Sequence, residues 1–529
     1  MTRWAMVADL ERCVGCQTCT AACRHANATS PAVQWRTVLD VETGTYPNVS
    51  RIFVPVGCQH CADPPCMHVC PTTATRQRAD GIVTIDYDLC IGCAYCEVAC
   101  PYQARFLIDA PTPAYGSVVM ENEREREDPR RIGVAQKCTF CSDRIDFGLA
   151  NDLVPGEDPR ATPACVNSCI ADALHFGDLD DPNSNVARLL HEQQTFRMHA
   201  ELGTEPNFFY ACGKADDGGH DDGAREMSPT ISGNLRSKGV EPWHQPHWNW
   251  KAAGNFVCGG AGAGLFAFAT VAGLRDGASF IVGVPALAFV ALGLFFVLLK
   301  IGRPLRSIYV LRQPQRSWMA REAWVAMLLF PLAAAAIWLR SPPLMVAATL
   351  VGLLFLFTQA MILKEAKGIP AWRTPTIVPL ILVTGLAEGA GLFLIATALL
   401  PSLAGKLQAT AIAAGLLALL RGWTWRSHLT ALKISGVPEK SFAMLEAFAG
   451  WFLLFGSALP LALVILGFIA PAQKLWFALA GASLAVAGAA LKFVLVTRAG
   501  FNQGFALAQT PARGQGSIGP AVKPGWSVP

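Results

Sequence analysis

The chain has 529 residues, 52% of them hydrophobic, with 18 cysteines and a formal net charge of +4. That length exceeds one ordinary domain, and so small a charge, with basic residues not gathered into one block, excludes a nucleic-acid binder. Near Lys251 the composition changes: almost all cysteines, all but one of the 10 histidines and nearly all Asp and Glu precede it, and long runs of Leu, Ala, Gly, Phe and Val follow.

Met1 leads through Asp9 and Glu11 to the first cysteine with no apolar core or small-residue cleavage site, so no secretory signal is expected. A domain made without an export signal meets a reducing cytosol, where regular C-x-x-C spacing favours metal over disulfides. Four groups of cysteines follow. Cys13, Cys16, Cys19 and Cys23 have the C-x2-C-x2-C-x3-C spacing of bacterial ferredoxins. Cys58, Cys61, Cys66 and Cys70 widen the second gap, and Pro71 follows. Cys90, Cys93, Cys96 and Cys100 repeat the first spacing and add Pro101, while Cys138, Cys141, Cys165 and Cys169 are stretched by an insertion.

Three thiolates on one tight loop take three corners of a [4Fe-4S] cubane, and the fourth, opening a helix, ligates the partner cluster. The expected quartets are therefore Cys58, Cys61, Cys66 with Cys100, and Cys90, Cys93, Cys96 with Cys70. The outer groups cross likewise, giving Cys13, Cys16, Cys19 with Cys169, and Cys138, Cys141, Cys165 with Cys23. Zinc also uses C-x2-C pairs but does not explain the triplets. Cys212 and Cys258 are left over and read as small buried hydrophobes. Four clusters with no substrate pocket of their own imply a relay of single electrons.

A linker is expected over 183–250. Its Gly/Asp-rich part, 215–223, reads as a surface segment, and Trp243, Trp248 and Trp250 suit the headgroup zone before a first membrane helix. His244 and His247 read as solvated linker residues. Apolar stretches near the length that crosses about 30 Å of hydrocarbon run over 252–274, 278–299, 320–339, 344–363, 377–400, 407–420, 448–470 and 475–496. The sixth is interrupted by Arg421. Lys300, Arg303, Arg306, Arg312, Arg316, Arg321, then Lys364, Lys367, Arg373, then Arg421, Arg426, Lys433 and Lys440 gather at alternate ends, and Arg498 shares that side. The opposite loops carry Arg275, Arg340, Lys406 and Lys474. By the positive-inside rule both termini and the cysteine-rich half face the cytoplasm. His428 is the only histidine after His247, which argues against a bis-histidine haem, so electrons are expected to leave for a diffusible membrane carrier. Glu388, an acid inside the fifth stretch, leaves open an ion-translocating membrane half.

The four cysteine groups, with Cys58-Gln59-His60-Cys61, Pro64-Pro65-Cys66 and the segment Ile301-Gly302-Arg303-Pro304-Leu305-Arg306, resemble the complex iron–sulfur molybdoenzyme family. The chain looks like its four-cluster electron-transfer subunit fused to a haem-free, eight-helix anchor of the dimethyl sulfoxide reductase type. The resemblance implies a separate molybdopterin catalytic subunit, with molybdenum or tungsten, and a quinone site bounded by Lys300, Gly302, Arg303 and Glu322, near the cluster domain. In similar anchors a histidine stands where Lys300 stands here, a departure that touches the proton-transfer role of that position. Cytoplasmic orientation, and Lys137 to Cys141 with Thr162 to Cys169, look more like a sulfite dehydrogenase, with dimethyl sulfoxide, polysulfide or thiosulfate reductases as alternatives.

The expected fold is an α+β double ferredoxin-like [4Fe-4S] domain over 1–182 and the linker over 183–250. An all-α eight-helix transmembrane bundle over 251–497 and a C-terminal tail over 498–529 follow. The expected setting is the bacterial inner membrane, its lipid bilayer and its quinone pool.

Overall fold

A computed structural model of the chain describes residues 2–114, 116–214, 240–272, 277–511 and 521–526. The chain divides into two units, Met1–Trp243 with Asn502–Gly525, and His244–Phe501 with Trp526–Pro529.

The first unit is built on a four-stranded sheet in the order Leu174–Asp178, Trp4–Asp9, Phe208–Lys214, Gln193–Phe196. Trp4–Asp9 runs antiparallel to Leu174–Asp178, with Trp4 opposite Asp178, and parallel to Phe208–Lys214, with Met6 opposite Phe208. Its side chains alternate between two cores. Trp4, Met6 and Ala8 face the core shared with the cysteines, whereas Ala5 and Val7 meet Val186, Phe209 and Ala211 on the other side. The helix Asn185–Glu192 supplies Val186, and Ser184 caps it by accepting from the Ala187 amide at 3.1 Å. A long hairpin, Arg36–Thr45 with Asn48–Gly57, pairs Arg36 with Gly57 at its open end.

The domain boundary expected at 182 does not hold. Strands Gln193–Phe196 and Phe208–Lys214 complete the sheet by pairing the free edge of Trp4–Asp9, and helix Asn185–Glu192 covers one of its two apolar faces. Residues 502–525, expected as part of a tail, belong to this unit as well, with Phe505, Leu507 and Val522 in its core. The Gly/Asp-rich stretch 215–223 lies outside the described residues.

The second unit contains, among the described residues, eight helices long and apolar enough to cross a membrane. They are Trp250–Val271, Phe280–Lys300, Trp318–Leu339, Pro342–Lys364, Ile377–Leu399, Pro401–Ser435, Glu439–Ile469 and Gln473–Thr497. The first and fifth spans are 83% and 72% buried against 28% for the second, so they form the centre of the bundle. Small residues make that possible: a methyl added at Gly389 of the fifth span would strike the backbone of Gly264 in the first. Outward-facing Phe280, Ile281, Phe295 and Leu298 suit contact with acyl chains.

Three assignments change. Arg421 is not a cation at a helix end: the sixth helix continues unbroken as Leu407–Ser435, and Arg421 is fully buried within it. Its guanidinium donates to the carbonyls of Gly456, at 3.1 Å from Nε, and of Leu484, at 2.9 Å. Gly456 lies in a π-helical turn, Leu454–Ala458, inside the seventh span. Trp248 is likewise not a headgroup aromatic, being buried and stacked on Trp372 at 5.5 Å. His244 is half-buried and meets Phe501 edge-on at 5.3 Å.

Candidate functional site

Each cysteine loop turns back on itself through a residue with positive φ placed just before the second cysteine: Gly15 at 71°, His60 at 41°, Gly92 at 69° and Phe140 at 55°. This repeated kink points three sulfurs of each group inward, and glycine is the residue that adopts it without strain. The two non-glycine cases support each other, because the His60 and Phe140 rings stack with centroids 3.7 Å apart.

The loops assemble into four quartets. Cys13, Cys16, Cys19 and Cys169 line one cavity. Cys58, Cys61, Cys66 and Cys100 line another, together with His60 and Arg105. Cys23 stands within electrostatic reach of Cys138, Cys141 and Cys165, and Cys96 of Cys90, Cys93 and Cys70. Each quartet thus takes three sulfurs from one cysteine group and one from another. The quartets also succeed one another. Cys19 of the first feels Cys165 of the second, Cys138 of the second feels Cys58 of the third, and Arg105 faces Cys66 of the third and Cys96 of the fourth. Cys16, at one end, is exposed.

The donor sets fit iron–sulfur clusters. Burial pushes the thiols of Cys19, Cys100 and Cys141 up to about 11 and that of Cys138 to about 12. Cys61 and Cys96 are pushed well above the usual range. Such thiols become thiolates when a metal takes the place of their protons. Among the described residues no three His, Cys, Asp or Glu side chains converge as they would on a single ion; the thiolates of a cubane bind different iron atoms and so stand apart. Burial, then the charges of Lys137, Arg36 and Arg105, hold the His60 imidazole well below its usual range and therefore neutral.

In the membrane half the expected quinone-site residues are not all at one level. Lys300 ends the second span, its ammonium 4.6 Å from the centre of the Trp248 ring, and Arg303 follows it, partly exposed. Glu322 lies inside the bundle, 4% exposed, where its Oε1 accepts from Asn255 Nδ2 at 3.1 Å and Gln359 Nε2 at 3.2 Å. Gly293 of the second span packs against Asn255. Lys300 lies about 10 Å further along that helix, at 1.5 Å of rise per residue. Asn255 Oδ1 and Gln359 Oε1 are buried without a hydrogen-bond partner.

Glu388 and Lys492 form a fully buried ion pair at 2.5 Å, and Lys492 also donates to the Phe256 carbonyl at 2.8 Å. Reading the sequence missed Asn255, Gln359 and Lys492. The lysine had a signal, an ionisable residue within an apolar run, whereas the amides had none. Cys212 and Cys258 are buried. Buried cations near the quartets, Arg36, Arg105 and Lys137, carried no distinguishing spacing.

Residues 49–127 match the family described as 4Fe-4S dicluster domain. The chain is 42% identical over 224 residues to a selenate reductase subunit of Mesobacillus selenatarsenatis, covering 39% of this chain and 71% of that one. It is 40% identical to a putative dimethyl sulfoxide reductase iron–sulfur subunit of Halobacterium salinarum, covering 41% and 82% respectively. It is 39% identical to a tetrathionate reductase subunit of Salmonella typhimurium, covering 39% and 72%. With its ferredoxin-like unit and its cysteine quartets, the chain belongs to the family of iron–sulfur electron-transfer subunits of molybdoenzyme-type reductases.

Proposed function

We propose that the chain carries electrons through four [4Fe-4S] clusters between a molybdopterin catalytic subunit on another chain and membrane quinone. The observation that carries this reading is the succession of four cysteine quartets, each sharing charged neighbours with the next. Cys13, Cys16, Cys19 and Cys169 hold the first cluster, and Cys138, Cys141, Cys165 and Cys23 the second. Cys58, Cys61, Cys66 and Cys100 hold the third, and Cys90, Cys93, Cys96 and Cys70 the fourth. Each cluster supplies one-electron transfer, and the chain's own residues fix its place, exclude water and set its charge.

The membrane half acts as a haem-free anchor in the lipid bilayer with the quinone site on its first four spans. Asn255 Oδ1 and Gln359 Oε1, both without partners, are acceptors for the hydroxyl hydrogens of a quinol, and Glu322 between them holds and releases a proton. Lys300 and Arg303 stand nearer the helix end, where they favour a polar headgroup at the mouth of such a site. Basic residues at alternate helix ends support a cytoplasmic ferredoxin-like unit.

In this reading the complex is of the sulfite dehydrogenase type, supported by that orientation. The second reading, a reductase, is favoured by the names of the three relatives described above, each a reductase subunit. Purification from native membranes, with metal analysis and identification of the chains that come with it, tests the proposal. About sixteen iron per chain, at four per cubane, and one molybdenum per complex are expected, and zinc in place of iron overturns it. Quinone-linked assays with sulfite, dimethyl sulfoxide and tetrathionate separate the two readings. Unchanged quinone turnover in fully assembled Glu322→Gln and Gln359→Leu variants removes the quinone site from this place.

A further inference from the structure

Two guanidinium groups lie deep among the cysteine quartets, Arg36 and Arg105, each 1% exposed. Burying a cation without a compensating anion costs several kcal/mol, so each requires a reason. Arg36 opens the long hairpin and turns inward. Its Nη2 meets Met6 Sδ at 3.0 Å, and its guanidinium carbon stands 4.9 Å from the centre of the Phe208 ring. Its Nε and Nη1 have no hydrogen-bond partner. The charged groups that face it are sulfurs of two quartets, Cys19 of the first and Cys23, Cys138 and Cys165 of the second.

Arg105 repeats this arrangement at the other end of the row. Its Nη2 donates to Cys66 Sγ at 2.9 Å and its Nη1 to Thr75 Oγ1 at 3.0 Å. It faces Cys58, Cys66 and Cys100 of the third quartet and Cys96 of the fourth. Each arginine therefore stands at a seam between neighbouring quartets, one for the first pair and one for the second. Lys137, the third buried cation near the quartets, is engaged by the Cys138 and Val83 carbonyls and also acts on Cys66.

We propose that Arg36 and Arg105 set the reduction potentials of this relay, each raising both clusters at its seam and serving as the counter-charge that their anions require. This rests on the assignment of one cluster to each quartet. A cubane held by four thiolates is an anion, and one further electron adds one negative charge. A fixed cation at short range in a water-poor interior favours that reduced form more than the oxidised one. Arginine suits the position because its guanidinium stays protonated when buried and presents several N–H groups in a fixed plane. Two clusters sharing one cation are lifted together, so the cation raises both without setting one far apart from the other.

The test uses the full chain purified from membranes. Iron and acid-labile sulfide are measured first, and each preparation is then titrated with dithionite while cluster spectra are followed by low-temperature electron paramagnetic resonance. In Arg36→Gln two of the cluster midpoints should move negative, and in Arg105→Gln the other two. Arg36→Lys and Arg105→Lys should shift less than the glutamine variants. Where a glutamine variant loads poorly, Arg36→Met, which keeps the apolar contacts with Met6 and Phe208, is titrated in its place and should shift the same pair. Unchanged midpoints in fully loaded neutral variants, or equal shifts in the lysine and glutamine variants, overturn the proposal. A wild-type chain well short of about sixteen iron instead overturns the cluster assignment beneath it.

Discussion

Among single residues, Lys492 and Glu388 carry the clearest energetic consequence. They are fully buried in the eighth and fifth spans, so neither charge can turn to water. Removing one partner strands the other, at a cost of about 3–5 kcal/mol, whereas replacing both by apolar groups is often close to neutral. Lys492→Met is therefore expected to melt well below wild type in detergent, and the double variant Glu388→Leu with Lys492→Met to recover most of that loss. A double variant as unstable as the single one would show that the pair is not the source. Gly260 of the first span belongs to the same arrangement, since a methyl there would collide with the Lys492 ammonium.

For local elements, the cysteine loops matter most. Gly15 holds φ at 71°, and a side chain added there would also run into the Phe53 ring. The left-handed conformation alone costs a residue with a Cβ about 1–2 kcal/mol, and the collision adds to it. Gly15→Ala should weaken the first quartet and leave the other three in place. Iron is then expected to fall from about sixteen towards about twelve per chain, at four per cubane, and an unchanged iron content would contradict this account. Phe140 and His60 tolerate the same backbone because each gains the other's ring as a neighbour. The π-helical turn Leu454–Ala458 has a comparable logic, its Gly456 carbonyl being taken up by Arg421.

Across the whole molecule, the return of residues 502–525 to the first unit makes that unit depend on the end of the chain. Phe505, Leu507 and Val522 are buried in its core, and each such side chain contributes about 1.5–3 kcal/mol. A chain ending at Phe501 should unfold at lower temperature and lose iron faster, as thermal scans and iron release would register. His199 reinforces the attachment by donating from Nε2 to the Gly504 carbonyl at 3.3 Å. The hydrogen bond from His199 holds the neighbouring Glu201 carboxyl down to about 2, below its ordinary 4.5. A lowered folded-state value means stability that is present above about 4.5 and lost as pH falls towards about 2. Glu201 is half-exposed, so the effect is small and screened by salt. The melting gap between wild type and Glu201→Gln should narrow as pH drops below 4.5, and a gap that widens would reverse the sign assigned here.

The sequence by itself determined what depends on neighbouring residues. Triplets of cysteine at two-residue intervals close a loop of three sulfurs wherever they occur, and an apolar run of about 20 residues has few homes other than a membrane. The cysteine groups and the eight long helices were legible for that reason. The tertiary structure alone decided what depends on residues far apart. The pairing of Trp4–Asp9 with Phe208–Lys214, the return of the C-terminal segment and the meeting of Lys492 with Glu388 leave no periodic trace. Arg36 and Arg105 looked like any other basic residues in one dimension. Their meaning comes from burial, because in a low-dielectric interior a charge must find a partner, and only the folded chain shows which partner it found.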